Sequence, residues 1–478
     1  MAAEPGAGRR AGKGWLLAAF LLCALPLGMI CAVLTPPGRA PDEPTHVARA
    51  AGLLHGAVFA VRKEVTNKKT GRRVLSAGVK VNRGLYRAGF GITTPIDGRT
   101  VVTAPDFVAQ RAKPTMNQMV SAGIPNTAQY FPAPYVPAAL AMGAARAVGA
   151  PTSLGFLAAR LAMLAAYLAL GAASLWVAGW GEALLLSVLI LPMTVFLAGS
   201  INSDGVLIAL ACLGVACLTR AGARFRVTGL VCLALLLGSK VTDFPILALA
   251  VLPLAPAGWW RRVRDAAFAA APVALWWGLV IAFVSVQFYM PQYRPGPLYL
   301  GDPAAARYGT DPAGNFHILL HPATRLLSLP AVTLWDGGRE TLREMIGVLG
   351  GLQIMFPVGF YIAWGVALAI AAGGVALGRR AGGPALRECL FVLALMAAIY
   401  WLTQITEYID WSPAGTDRVQ GMQGRYLLPV LPMLLFAIPR LRRGANLPRW
   451  LPALPAILLG IVDLAYVPVK LVNFFYLH

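Results

Sequence analysis

Long apolar runs broken by short polar stretches dominate this chain. They lie at Trp15 to Leu34, Phe131 to Val148, Leu154 to Val177, Ala183 to Ala198, Val206 to Thr219, Val227 to Gly238, Val241 to Leu254, Ala266 to Phe288, Ile346 to Leu377, Glu388 to Thr406, Arg425 to Ile438 and Leu451 to Lys470. A helix crosses a hydrocarbon core with about 20 residues. The pattern therefore predicts an all-α polytopic membrane protein with roughly eleven or twelve transmembrane helices. It forms a single integral membrane domain over 1–478: a first transmembrane helix at 15–34, a first external loop at 35–130 and central transmembrane helices at 131–288. A second external loop follows at 289–345, then C-terminal transmembrane helices at 346–478.

The first run follows Arg9, Arg10 and Lys13 and ends in Leu34-Thr35-Pro36-Pro37, without a small-residue cleavage site. It is read as a retained helix with a cytoplasmic N-terminus rather than a signal peptide. The basic clusters Arg220 to Arg226, Arg261 to Arg264, Arg379 to Arg387 and Arg440 to Arg443 mark cytoplasmic turns. This assignment exposes a conflict of parity. Five crossings from a cytoplasmic start leave Arg220 to Arg226 outside, so one segment between Phe131 and Thr219 is re-entrant or wrongly divided.

The same assignment makes Thr35 to Tyr130, Tyr289 to Met345 and Glu407 to Gly424 external. In the first of these, Pro44 opens a short helix, Thr45 to Phe59, with Glu43 as its cap and Val47, Leu54 and Val58 on a side able to lie on the membrane. A similar segment, Arg339 to Ile346, follows the breaker Gly337-Gly338.

Composition refines the class. The chain is 58% hydrophobic and 13% charged, and its 41 Lys and Arg against 20 Asp and Glu give a net charge of +21. In a soluble protein that excess would suggest nucleic acid; here most of it sits in turns between apolar runs, so no nucleic-acid partner is expected. Arg62 to Arg87, including Lys68, Lys69, Arg72 and Arg73, lies instead in the first external loop, suited to anionic membrane lipid or an anionic glycan. All six cysteines fall within apolar runs, which indicates neither a disulfide framework nor a thiolate metal site.

Candidate chemistry concentrates at the polar interruptions. Asp42 and Glu43 stand just past the first span, and His46 shares their helical face at i+4 and i+3, where it can orient them. One carboxylate suffices for a helix cap, which leaves the other available as a catalytic group. Asn202 and Asp204 interrupt two apolar runs, either as a cap of the following span or as a functional pair, since acidic residues at membrane depth are costly. Lys240 pairs with Asp243 in a turn or holds a lipid phosphate. Arg425, with Tyr426 beside it, enters an apolar run from the external side and needs an anion: a carboxylate such as Glu407, Asp410 or Asp417, or a phosphate matched to its planar fork. His317 and His321 are spaced i,i+4, but Ile318 stands where a zincin needs Glu. There is no P-loop, dinucleotide fingerprint or nucleophile elbow.

Taken in order, Pro41-Asp-Glu-Pro-Thr-His46 with Arg49, Phe131-Pro-Ala-Pro-Tyr-Val-Pro137, Asn202-Ser-Asp204, Ser239-Lys240, Gly347-Val-Leu-Gly-Gly351 and Gln423-Gly-Arg-Tyr-Leu-Leu-Pro429 resemble a bacterial integral membrane family catalogued as domain of unknown function 2142. That family in turn looks like the GT-C class of glycosyltransferases. The resemblance implies a GT-C-like helical bundle in the bacterial cytoplasmic membrane with its active face external. It also implies a polyprenyl-phosphate sugar donor and a cell-envelope glycan, lipid or protein acceptor. Asp42 and Glu43 match the acidic pair of the first external loop and Arg425-Tyr426 an Arg-Tyr-Leu-Leu-Pro element. Gly351 and Gln353 stand where relatives carry an aromatic and an acidic residue, and the loop after Gly56 has a basic insertion, which bears on the acceptor.

Inverting transfer needs a base for the acceptor hydroxyl and cations for the departing phosphate. Asp42 is the candidate base, with Glu43 the alternative and His46 beside them. Arg49, Lys240, Asn202, Asp204, Arg425 and Tyr426 are the candidate substrate-binding residues. Some members of the class use a divalent metal; no nucleotide cofactor is expected. The rival reading is a transporter or flippase, or a non-catalytic assembly subunit, for lipid-linked glycans.

Overall fold

The computed structural model describes residues 7–66, 71, 73–89, 94–96, 99–102, 118–252, 258–290, 292–377, 384–439, 448 and 450–477. Lys68, Lys69 and Arg72 of the basic insertion, and the basic turns at 379–380 and 440–443, lie outside the described residues.

Among the described residues, six helices are long and apolar enough to cross a membrane: Lys13–Leu34, Thr152–Val177, Trp259–Phe283, Val358–Leu377, Leu386–Trp411 and Leu451–Phe475. Half or more of each of these helices' most apolar stretch remains uncovered by protein, as lipid-facing spans require. The interior is built from shorter pieces. Every residue of Glu182–Leu189, Pro192–Ala198 and Asp204–Leu218 is buried. Pro192 divides the first two of these helices, and Val241–Val251 winds as a 3-10 helix through Pro245. Ile346 to Leu377, expected as one span, is a helix ending at Gly347, an irregular connection and then Val358–Leu377.

The parity conflict resolves on the helix Val136–Ala147. Its 12 residues rise about 18 Å, short of the roughly 30 Å core. At its start Tyr135 contacts His46 and Ser203, and after its end the chain turns directly into Thr152–Val177. That long helix runs antiparallel to the first: Arg160 reaches Thr35 near one end of the bundle, while Lys13 donates to the carbonyl of Ala178 at 2.6 Å at the other. Both ends of Val136–Ala147 therefore sit at the Thr35 end, and this segment does not cross. Arg220 Nε donates to Val177 O at 2.7 Å, so the Arg220 cluster returns to the end where Lys13 lies.

The first loop differs from expectation in two ways. Its helix is Glu43–Leu53, not Thr45 to Phe59, with Asp42 rather than Glu43 as N-cap, and Val47, expected on a membrane-facing side, is buried within the protein core. The loop also holds a three-stranded antiparallel sheet, Val61–Thr66, Arg73–Asn82 and Met119–Gly123 in that spatial order. Ala77, Val79, Val81 and Ala122 are its buried apolar residues, and Val79 lies over Gly52, so the sheet braces the helix that carries His46. The helix Arg325–Gly347 runs unbroken through Gly337-Gly338, which were expected to break it. Two glycines cost only about 1 kcal/mol each, and its C-terminal turns are held by packing against the segment of Gly424.

Candidate functional site

Asp42 has a left-handed backbone, φ 56°, a conformation that Asp tolerates better than most residues. In that turn its carbonyl, not its side chain, accepts from Thr45 N at 3.0 Å and His46 N at 3.2 Å. The carboxylate is thereby left free of capping and forms an ion pair with Arg425. Arg425 is 2% exposed, and two further bonds fix its guanidinium, Nη1 to Asp204 Oδ2 at 3.1 Å and Nε to Gln423 Oε1 at 2.6 Å, which leaves one N–H on each Nη for a further anion. Lys240 Nζ lies 3.1 Å from the second oxygen of Asp204 and 4.4 Å from the Tyr426 ring centroid. Two cations and two carboxylates thus alternate from Asp42 through Arg425 and Asp204 to Lys240. The pairings expected for Lys240 with Asp243, and for Arg425 with Glu407, Asp410 or Asp417, are replaced by this chain.

Gly424 allows Arg425 to be there. A Cβ on it would lie 2.0 Å from Thr341 O and 2.4 Å from Met345 N, and its own N–H donates to Glu344 at 2.8 Å. Only a residue without a side chain brings this strand of backbone so close to the helix Arg325–Gly347.

The four charges border a cavity of about 100 Å³ whose wall includes His46, Asn126, Gln129, Tyr130, Phe288, Glu407, Asp410, Trp411, Gln423 and Tyr426. Burial drives His46 down to about pH 4, with the neighbouring Asp204 and Asp42 opposing that shift, so the ring is neutral near pH 7. Its Nδ1 is 2.6 Å from the hydroxyl of Tyr135, which accepts from Ser203 Oγ at 3.2 Å. Burial works to raise the carboxyl of Asp42, but the charge and hydrogen bond of Arg425, aided by His46, hold it below the ordinary aspartate range.

Glu43, Arg49 and Asn202, candidates for catalysis or substrate binding by sequence, do not line the cavity. Glu43 is fully buried and accepts from Arg160 Nε at 2.8 Å and Nη2 at 2.6 Å, and from the N–H groups of Gly38 and Ile201 at 2.9 and 3.0 Å. It ties the end of the first span to two other elements and has no oxygen free for a substrate. Arg49 spends its donors on the carbonyls of Ala57, Val58 and Tyr130. Asn202 donates to Pro41 O and accepts from Asp204 N, each at 2.8 Å, which orients the backbone on either side of the charge chain. His317 and His321 stack at 4.3 Å far along the second loop. Among the described residues, no group of three or more His, Cys, Asp or Glu side chains could hold a metal ion.

Other residues at the site went unremarked in the sequence. Arg160 carried a signal, since an arginine inside an apolar run demands a partner. Tyr135 sits in the Pro-rich element opening the next segment. Tyr130 and Trp411 carried no local signal.

Beside the polar cavity runs an apolar groove of about 420 Å³ between the helices Ala223–Leu237 and Trp259–Phe283, lined by residues such as Val231, Leu235, Phe268, Ala269 and Trp276. Val231 and Phe268 are exposed, so the groove opens sideways from the bundle. Its upper end is Phe131, Gly238 and Trp276. The Trp276 indole donates to Gln129 O at 3.2 Å, and Lys240 follows Gly238 by two residues, so groove and cavity share a wall.

These features define a polytopic helical membrane protein with an ion-paired polar cavity at one end of the bundle and a lateral apolar groove leading to it. The chain belongs to the DUF2142 family, described as a predicted membrane protein, which matches residues 25–434. No curated protein and no solved structure matches it.

Proposed function

We propose that this protein is a membrane glycosyltransferase that takes a sugar from a polyprenyl-phosphate carrier and places it on a cell-envelope acceptor at the external face of the bacterial cytoplasmic membrane. The observation that supports this reading best is the junction of the groove with the cavity. A polyprenyl tail fits the sideways-open groove, and a phosphate at its upper end would lie beside Lys240 and Arg425. Lipid tails are as apolar as the groove, so the tail gains packing there rather than dehydration. Selection falls to the headgroup. Arg425 and Lys240 are fixed before substrate arrives, an arrangement that stabilises charge developing on a leaving phosphate without reorganisation.

The cavity also holds carboxylates to receive the proton of an acceptor hydroxyl. Asp42, the candidate from the sequence, borders it with 34% of its side chain exposed. His46, neutral and buried behind Asp42, serves to hold Tyr135 and the cavity wall.

The test is the fate of the donor in proteoliposomes containing radiolabelled polyprenyl-phosphate sugars and crude envelope glycolipid. A transferase releases sugar-free polyprenyl phosphate and labels the acceptor. Movement of intact donor between leaflets with no cleavage would favour the flippase reading, to which buried charges such as Asp204 and Lys240 are equally suited.

A further inference from the structure

The geometry points to Glu407, rather than Asp42, as the base that receives the acceptor proton, with Asp42 acting to position Arg425; this assignment rests on the transferase reading above. The charge chain supplies the first reason. Asp42 is held by Arg425, and Arg425 has no other ionic partner than Asp42 and Asp204 among the described residues. Removing the negative charge of Asp42 would release the guanidinium that is to meet the phosphate. A carboxylate so paired is also held weakly basic, which handicaps proton abstraction.

Glu407 is uncommitted. It lines the same cavity as Asp42, Lys240 and Arg425, and among the described residues its carboxylate has neither an ion pair nor a hydrogen bond. It opens a five-residue π-helical turn, Glu407–Trp411, that continues the span Leu386–Thr406. Such turns swing one side chain out of the helical register and recur at functional sites.

A second feature keeps space at that carboxylate. Gly421 has φ 94°, and a Cβ built on it would lie 2.5 Å from Glu407 Oε2 and 2.2 Å from Trp411 Cδ1. Any side chain at 421 would press on Glu407. The segment that makes this room continues within five residues to Gln423, Arg425 and Tyr426, so one stretch of chain sets both the anion site and the clearance around the free carboxylate.

In the step assigned here the acceptor hydroxyl gives its proton to a carboxylate oxygen of Glu407 while its oxygen bonds to the anomeric carbon. The bond from that carbon to the phosphate oxygen breaks, and its electron pair leaves on the phosphate, beside Arg425 and Lys240. Glu407 then releases the proton to solvent through the exposed side of the cavity, where Asp410 lies.

The experiment compares wild type, Glu407→Gln and Asp42→Asn at equal abundance. It uses radiolabelled polyprenyl-phosphate pentoses and hexoses, with and without azide, a nucleophile that has no proton to lose. We expect Glu407→Gln to bind donor as wild type does, to transfer to hydroxyl acceptors about 10²-fold more slowly or worse, and to recover donor turnover as glycosyl azide. Asp42→Asn should instead lose donor affinity and gain nothing from azide. Wild-type rates in Glu407→Gln, or azide rescue confined to Asp42→Asn, would overturn the assignment while leaving the transferase reading intact. Absence of transfer by the wild type from every donor would overturn both.

Discussion

The carboxylate of Asp42 and the guanidinium of Arg425 stand 383 residues apart in sequence and form one ion pair at the edge of the polar cavity. The pair joins the turn after the first span to the segment that enters the bundle near the end of the chain. Arg425 is almost wholly buried, so loss of its partner leaves a cation with only Asp204 to balance it. Arg425→Gln and Asp42→Asn should each lower stability, the former by about 3–5 kcal/mol. The double variant should lose less than the sum, with a coupling of about 1–3 kcal/mol. Thermal unfolding of the four proteins in one detergent measures the cycle.

Glu43 should behave as a structural residue. Its two oxygens satisfy Arg160 and two backbone N–H groups in a fully buried setting. Glu43→Ala strands the Arg160 charge and should cost about 3–5 kcal/mol, seen as a loss of monodisperse protein on size exclusion. Arg160→Lys should cost nearly as much, because an ammonium cannot reproduce the planar two-point contact.

His46 makes stability depend on pH. Its imidazole is neutral in the fold, with burial holding its pKa near 4 against about 6.5 in the unfolded chain. The unfolded state therefore binds more protons between these values, and stability falls as pH drops from about 6.5 toward 4, by on the order of 3 kcal/mol in full. Below that window this group adds no further slope. Unfolding temperature against pH should show the descent in wild type and lack it in His46→Gln.

The groove can be closed without touching the charges. Ala234→Trp or Ala269→Trp would fill it from either wall. Each should raise KM for a long-chain polyprenyl-phosphate donor by about tenfold, the effect of losing roughly 1.4 kcal/mol of packing. KM for a donor truncated to two or three isoprene units should change much less. Equal effects on both donors would place the carrier elsewhere.

What the sequence made legible follows from the range of each signal. Membrane spans announce themselves over about 20 consecutive residues, so each of the six long helices overlaps an apolar run of the sequence, although Trp259–Phe283 begins before Ala266 and Val358–Leu377 is only the second part of its run. Asp204, Lys240 and Arg425 stand out because charge breaks an apolar pattern, Asp42 and His46 as a polar cluster just past the first span, and Tyr426 through the family resemblance; all six line the one cavity. Partnership was not legible. Arg425 was assigned anions near it in sequence, and its real partners lie 383 and 221 residues away. The helix Val136–Ala147 reads as a span by composition, and only its short length and its contacts at one end show that it does not cross. The sheet of the first loop was missed because its strands read as a basic stretch, with Val79 and Val81 too few to announce a buried face. Glu407 looked like a counter-ion, a role that Asp42 and Asp204 had already filled.

The most direct test of the account is the release of sugar-free polyprenyl phosphate from radiolabelled donors by membranes carrying wild type or Arg425→Gln at equal abundance. Release by the wild type is expected, with a fall of about 10²-fold or more in the variant, the scale seen when a charge-stabilising group is removed from a transition state. Release by both at the same rate would contradict the placement of the phosphate at Arg425, and release by neither, from any donor, would contradict the transferase reading itself.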